Sequence, residues 1–384
     1  MSGPTLGEVC LQIVDCEHKT APIDPDGDYF AVGTPAMRGN LINLDESRRI
    51  SSRTFEEWTR RLRPRRGDLL FAREAPVGPV VQIPDSENIA PGQRTVLLRP
   101  DPNQADTRYL YYLIGSPREQ IRLQALAEGS TVSHLNVADV RSYVLPKLPT
   151  LNQQRAIAEV LGALDDKIAA NTRLAATADE LLRVSTERLA SLGDLVPLSS
   201  LARFVNGRNF TKDASGTGRM VIRIAELNSG RTGSTVFNDV EASDDNVARP
   251  GDILFAWSGS LTLRRWFLGE GVVNQHIFKV LPKDGLPHWL AFQLVLQKLA
   301  DFKSVAADKA TTMGHIQRKH LDETVRLPRE ADIRAHDQQL TALWDRALLA
   351  ERENLTLAAT RGTLLPQLVS GKLRVREAAE MAGL

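Results

Sequence analysis

Cysteine, aromatic residues and net charge are all scarce in this sequence: two cysteines, 5% aromatics and a formal charge of +1 over 384 residues. Each scarcity closes an option. Cys10 and Cys16 have only His18 close by, so they supply at most half of a metal site, and buried or incidental thiols are the expectation. No apolar run reaches the ~18 residues of a membrane span and no charged-then-apolar signal segment opens the chain, so we expect neither a span nor export, and a cytoplasmic location. A near-neutral total argues neither for nor against a polyanionic partner.

Catalytic signatures are missing too. There is no G-x-S-x-G elbow, no H-E-x-x-H, no N/D-P-P-Y/F of an amino-methyltransferase, and no nuclease spacing of carboxylates. The loops at Glu74 to Gly78 and Ser258 to Leu261 lack the helix start and lysine of a phosphate cradle. An enzyme with an unrecognised site is therefore the least supported class.

What the sequence does contain is an internal repeat. RRGDLLFA at Arg65 returns as RPGDILFA at Arg249, and the shared glycines lie 184 residues apart. TVSHL at Thr131 returns as TMGHI at Thr312 after 181, and NTRLAAT at Asn171 as NLTLAAT at Asn354 after 183. Matches in one order at nearly one offset mark a duplicated unit.

Pro149 to Leu192 carries apolar or small residues at Ile157, Leu161, Leu164, Ile168, Ala175, Ala178, Leu182 and Leu189, the spacing of a helix seam that meets a partner helix. Thr150 and Gln153 form a capping-box start, and Gly193 a stop. The partner is expected at Ile333 to Leu368. Asn171 and Asn354 occupy equivalent seam positions; in an antiparallel pair their amides could bond each other and set register, or both could face outward.

Strands are expected near Tyr29 to Val32, Asp68 to Ala72, Pro79 to Ile83 and Thr95 to Arg99, then a helix from Asp106 to Ala127. The second half repeats this order: strands near Met220 to Ala225, Asp252 to Trp257, Leu263 to Phe267 and Val272 to Leu281, and a helix from Pro287 to Ala306. The fold class is α+β: two globular domains and two long antiparallel helices related by a pseudo-twofold repeat. The expected bounds are 1–147, 148–192, 193–328 and 329–384.

Clustered guanidinium groups attract a phosphate backbone. Arg48, Arg49, Arg53, Arg60, Arg61, Arg63, Arg65 and Arg66 crowd one short stretch, and Arg203, Arg208, Lys212, Arg219, Arg223, Arg264 and Arg265 form a looser second set. A basic surface helix would explain one cluster; one in each repeat favours a polyanion. His134 and His315 are the only histidines at equivalent places. Either the T-x-x-H-L/I segment packs, or its Thr and His point at base edges.

The run L-P-x-L-P-T-L-x-x-Q-x-x-I-A-x-x-L-x-x-L-D-x-K-I-x-x-N, Leu145 to Asn171, resembles the central conserved region of specificity (S) subunits of type I restriction-modification systems. LLPQLVSGKL, Leu364 to Leu373, resembles their distal conserved region, and R-x-G-D-[LI]-L-F-A a strand of their target recognition domains. The start of the second helix, RLPREADIRAHDQQL, departs from the L-P-T-L-x-x-Q form. The resemblance implies a non-catalytic, double-stranded-DNA-reading protein whose two domains each bind half of a split, asymmetric site. It implies paired helices that hold the halves apart and dock two methylation (M) subunits. S-adenosylmethionine would sit on those M subunits, and ATP and Mg on restriction (R) subunits, with no cofactor or metal on this chain and no membrane partner. The competing class is a protein-binding adaptor whose helices are an assembly stalk.

Overall fold

The computed structural model describes residues 3–127, 133–308 and 314–384. The chain divides into two compact units, Met1–Asp166 with Leu357–Leu384, and Lys167–Thr356.

The first unit is built on a four-stranded antiparallel sheet in the order Cys10–Asp15, Thr95–Pro100, Leu69–Arg73, Val77–Gln82. Its central strand is buried on both faces. Leu69 and Phe71 enter a core with Tyr109, Leu161 and Leu364, while Leu70 and Ala72 enter a second core with Val32, Met37 and Ile89. Successive side chains point to opposite faces, so a strand covered twice must be apolar throughout. That is the physical content of the L-L-F-A run. The second core is closed by a three-stranded sheet, in which Tyr29–Val32 pairs antiparallel with Arg48–Ile50 and parallel with Ile89–Pro91.

The second unit repeats the plan. Its sheet runs Ala202–Asn206, Ile277–Pro282, Ile253–Ala256, Thr262–Arg265. Ile253 and Phe255 face one core, Leu254 and Ala256 the other. The R-x-G-D prefix is a turn in both units. Gly67 and Gly251 hold φ of +91° and +98°, where any Cβ is strained. Asp68 Oδ2 accepts from the Arg65 backbone N–H at 3.0 Å, and Asp252 Oδ2 from that of Arg249 at 2.7 Å.

Two 40-residue helices, Leu151–Ala190 and Glu330–Val369, contribute to both units. The first has the expected capping box: Thr150 N–H donates to Gln153 Oε1 at 3.0 Å, and Gln153 N–H to Thr150 Oγ1 at 3.4 Å. In the first unit Ile157, Leu161 and Leu164 share a core with Leu364 and Leu368. In the second, Ala175 and Ala178 meet Ala347 and Ala350, small residues that let the backbones approach. Both helices begin and end within three residues of the sequence expectation.

Several expectations are corrected. The single helix over 106–127 is two, Thr107–Ile114 and Pro117–Leu126, because Pro117 lacks the N–H a continuous helix needs. The strand expected over 272–281 is also two, Gly271–Val273 and Ile277–Pro282, in different sheets. A strand at Cys10 was expected and is Cys10–Asp15, whereas the edge strand Ala202–Asn206 had no counterpart in the sequence reading.

The two seam asparagines do not bond each other. Asn171 is buried and donates to Glu353 Oε2 at 2.7 Å, while Asn354 donates to Thr172 Oγ1 at 3.2 Å. Each amide crosses to the other helix, one helical step away from the expected mutual pair.

Candidate nucleic-acid interface

Register defines equivalent positions in the two units. Ile13 lies opposite Leu98 and Leu98 opposite Leu69; Phe204 lies opposite Val280 and Val280 opposite Ile253. Following these ladders to one end of each sheet matches Asp15 with Asn206, Arg73 with Trp257, and Arg94 with His276. Backbone bonds at that end repeat as well. Cys16 N–H donates to Thr95 O at 3.2 Å and Gly207 N–H to Ile277 O at 2.9 Å; Leu135 N–H donates to Arg73 O at 2.8 Å and Ile316 N–H to Trp257 O at 3.1 Å.

The repeated histidine segment therefore returns to this sheet end in both units, where His134 bridges Glu74 and His315 bridges Ser258 through the backbone. The threonines of that motif, Thr131 and Thr312, lie outside the described residues.

On this common frame the side chains differ. In the first unit Arg73 Nε donates to Asp15 Oδ1 at 3.2 Å, His18 Nε2 lies 2.9 Å from Asp15 Oδ2, and Arg94 pairs with Glu74 at 3.2 Å. In the second, Trp257 Nε1 donates to Asn206 Oδ1 at 2.9 Å, and its ring lies 5.6 Å from that of His276 and 6.5 Å from that of His315. Gln275 Nε2 sits 3.3 Å from His276 Nε2. Asn274 Oδ1 and His276 Nδ1 are buried with no hydrogen-bond partner among the described residues, a cost that a bound polar group would relieve.

The arginines named from the sequence are divided by the fold. Arg48 lines a 200 Å³ cavity with Gln93 and Arg94. Arg60 and Arg61 meet the buried Glu17 at 3.0 and 3.6 Å, so these three belong to the Asp15 end of the sheet. Arg53 is exposed on the helix Ser52–Thr59. Arg49 donates to Pro25 O at 3.0 Å with its guanidinium over Phe30. Arg65 and Arg66 precede Leu69–Arg73 and so lie at the opposite end, Arg66 facing Asp85 at 3.6 Å.

In the second unit Arg208 is exposed just beyond Asn206, its backbone bridged to Asn274, and Lys212 is exposed in the loop that follows. Arg219 is held by Glu270 at 2.5 Å beside Gly271, and Arg264 is exposed on its strand across from Leu254. Both lie away from the Trp257 end. Arg265 is a correction: only 4% exposed, it binds Asp179 and Glu351 at 2.9 Å each and stacks 4.6 Å from the Trp344 ring. It neutralises two partly exposed carboxylates and has no surface to offer a phosphate.

A groove of 880 Å³ along the edge strand Ala202–Asn206 is lined by Arg203, Lys283, Arg318 and Lys319 together with Asp245 and Asp322, Arg203 pairing with Asp245 at 2.9 Å; of these cations the sequence reading had named Arg203 and missed the other three. Arg318 donates to Phe204 O at 3.3 Å, and in the first unit Arg141 donates to the register-equivalent Ile13 O at 2.8 Å. These arginines follow the histidine motif at unequal spacing, seven residues after His134 and three after His315, so no linear pattern links them. Burial pushes the Cys10 thiol up to about 12 and raises that of Cys16, which suits packed rather than ligating sulfurs.

Residues 5–178 match the family model described as the type I restriction modification DNA specificity domain. Over those 174 of its 384 residues the chain is similar to that family. Two curated relatives of this specificity family share the signal. A Mycoplasma genitalium protein is 32% identical over 68 residues, 18% of this chain and 17% of that protein, and a Mycoplasma pneumoniae protein is 31% identical over 68 residues, 18% of each. Both are named as type I specificity subunits, and the chain matches less than a fifth of the length of either. The crystal structure of the type I restriction-modification system S subunit from M. genitalium covers 95% of this chain and 94% of its own at a TM-score of 0.60 and 17% identity, a likeness of fold. The α+β duplication and the specificity-family resemblance expected from the sequence are both borne out. Among the described residues no helix is long and apolar enough to cross a membrane.

Proposed function

We propose that this chain is the DNA-reading subunit of a type I restriction-modification complex, each unit addressing one half of a bipartite, asymmetric site. One observation carries the reading: the two units repeat the backbone of one sheet end while presenting different polar and aromatic side chains there, next to basic residues. Phosphate contacts position a protein and base edges specify the sequence, so a common frame with exchanged tips suits two unlike half-sites. Arg48, Arg60 and Arg61 would hold phosphates in the first unit, Arg208, Lys212, Arg318 and Lys319 in the second; Arg53 and Arg264 remain outer candidates, and His134 and His315 sit within reach of the same duplex.

The chain would do no chemistry of its own. Two M subunits docked on the paired helices would carry S-adenosylmethionine and methylate adenine, and R subunits would use ATP and Mg. The helices would set the unread spacer between the half-sites.

The deciding experiment is selection from a random-sequence duplex library with the full chain, before and after exchange of residues 1–147 for another recognition domain. One half-site should change and the other persist; a hybrid that altered both, or a salt-independent interaction, would overturn the reading. Co-purification should yield an adenine methyltransferase at two copies per chain.

A further inference from the structure

Within that DNA-reading assignment, on which this inference rests, the aligned ladders carry one more identity. The segment from Ala90 to Pro100 (APGQRTVLLRP) matches Val272 to Pro282 (VVNQHIFKVLP) without a gap at an offset of 182 residues. The structure confirms the alignment, because Gly92 N–H donates to Val32 O at 2.8 Å and Asn274 N–H to Ile222 O at 3.0 Å, in the same crossing of the parallel strand pair. In the turn that follows, Gln93 and Gln275 are identical, whereas the next residue is Arg94 in one unit and His276 in the other.

Among the described residues neither amide is held by more than one hydrogen bond: Gln93 is exposed and its Oε1 accepts from Thr20 Oγ1 at 3.1 Å, and Gln275 is half-buried with its Nε2 3.3 Å from His276 Nε2. Around Gln275 the buried, unpartnered Asn274 Oδ1 and His276 Nδ1 mark a place that lacks a polar ligand. A carboxamide donates and accepts side by side, the pattern that adenine presents in the major groove through N7 and N6–H, while a guanidinium matches the two acceptors of guanine.

We propose that Gln93 and Gln275 each contact the adenine of an A·T pair at the equivalent place in the two half-sites, and that Arg94 and His276 address the adjacent pair that makes the halves differ. Arg94 selects guanine. The two half-sites thus share one base pair read by one side chain type, and diverge beside it.

The test is selection of duplexes from a random library by the full-length chain and by its Gln275→Glu, Gln275→Ala and Gln93→Glu variants, with the salt dependence of binding measured alongside. The unaltered chain is expected to enrich an A·T pair in both halves. Gln275→Glu should replace adenine by cytosine at that one position of the second half, since a carboxylate accepts from the cytosine amino group, and Gln275→Ala should relax the preference about 10-fold or more. Gln93→Glu should do the same in the first half only. With Gln275→Ala the salt slope should not move, because no phosphate contact is lost and no charge is added. An enriched bipartite site whose every position survives Gln275→Glu and Gln275→Ala overturns this inference alone. So does a change in both halves at once, a uniform loss of affinity with the preference intact, or a site without an A·T pair common to both halves. An unaltered chain that enriches no sequence overturns the DNA-reading assignment and this inference with it.

Discussion

The two sheet ends make the same backbone bonds and hold unlike chemistry. One carries an arginine–aspartate pair, Arg73 with Asp15; the other an indole–amide pair, Trp257 with Asn206. Each pair joins the end of the central strand to the end of the edge strand, so an electrostatic contact in one unit does the joining that an aromatic donor does in the other. The strand interiors show why this is tolerated. Leu69 to Ala72 and Ile253 to Ala256 are buried on both faces, and packing restricts them to apolar residues of similar volume. One residue further on the apolar requirement ends: Arg73 is buried with its guanidinium met by Asp15 and Leu135 O, and Trp257 is half-buried.

The largest expected break in this symmetry is at Arg265. The register-equivalent residue of the first unit is Gln82, opposite Leu69 as Arg265 is opposite Ile253. Arg265→Ala leaves the half-buried Glu351 beside Asp179 without its buried partner and should cost about 3 kcal/mol, the low end for a broken buried pair because both carboxylates are partly exposed; Gln82→Ala should cost under about 1 kcal/mol. Urea midpoints compare them. Burial raises the Glu351 carboxyl above its ordinary value. Its folded state therefore binds the proton more tightly than the unfolded state, and the folding deficit of Arg265→Ala should shrink as pH falls through the raised Glu351 pKa. A deficit that grew on acidification would contradict the assignment.

Next come the seam asparagines. Asn171→Leu removes a buried donor from Glu353, which keeps Lys167 at 3.5 Å, so a loss of about 1 to 2 kcal/mol is expected. Asn354 Oδ1 has no partner among the described residues, and Asn354→Leu should change stability by less than about 0.5 kcal/mol or raise it. Thermal melts of the two single variants should therefore diverge. At the proposed DNA surface, Arg318→Ala should lower the slope of log affinity against log salt by about one unit with base preferences unaltered. Smallest of all, Arg66→Ala, at the other end of its sheet, should leave both affinity and slope where they were; a fall of one unit there would join Arg66 to the interface.

Much of the frame was legible before any coordinates. The helix seam, the capping box at Thr150 and the doubly buried L-L-F-A strand are local signals, carried by periodicity and turn chemistry, and the repeat multiplied their weight. The strand at Cys10 was legible but its second copy was not, because the register that matches Asp15 with Asn206 sits at an offset of 191 residues, beyond the 181 to 184 of the visible repeats. Charge density misled in one respect. Arg265 and Arg219 look alike in a sequence, and only the carboxylates that fold against them, Glu351 and Glu270, divide the buried from the partly exposed. The Gln93 and Gln275 match was present in the sequence all along, hidden by neighbours that differ in character, such as Gly92 against Asn274, Arg94 against His276 and Leu97 against Lys279.

One consequence of the division into units concerns time. The second unit is a single continuous segment, Lys167–Thr356, whereas the core of the first needs Leu364, Leu368 and Ala378 alongside Leu6, Val9 and Leu69. A ribosome that has finished Asp166 must add a further 212 residues to reach Ala378, roughly ten to forty seconds at ~5–20 residues per second. The half of the protein that is made first is thus the half that is finished last, and until then the apolar surface awaiting Leu364 and Leu368 is the nascent chain's exposed flank.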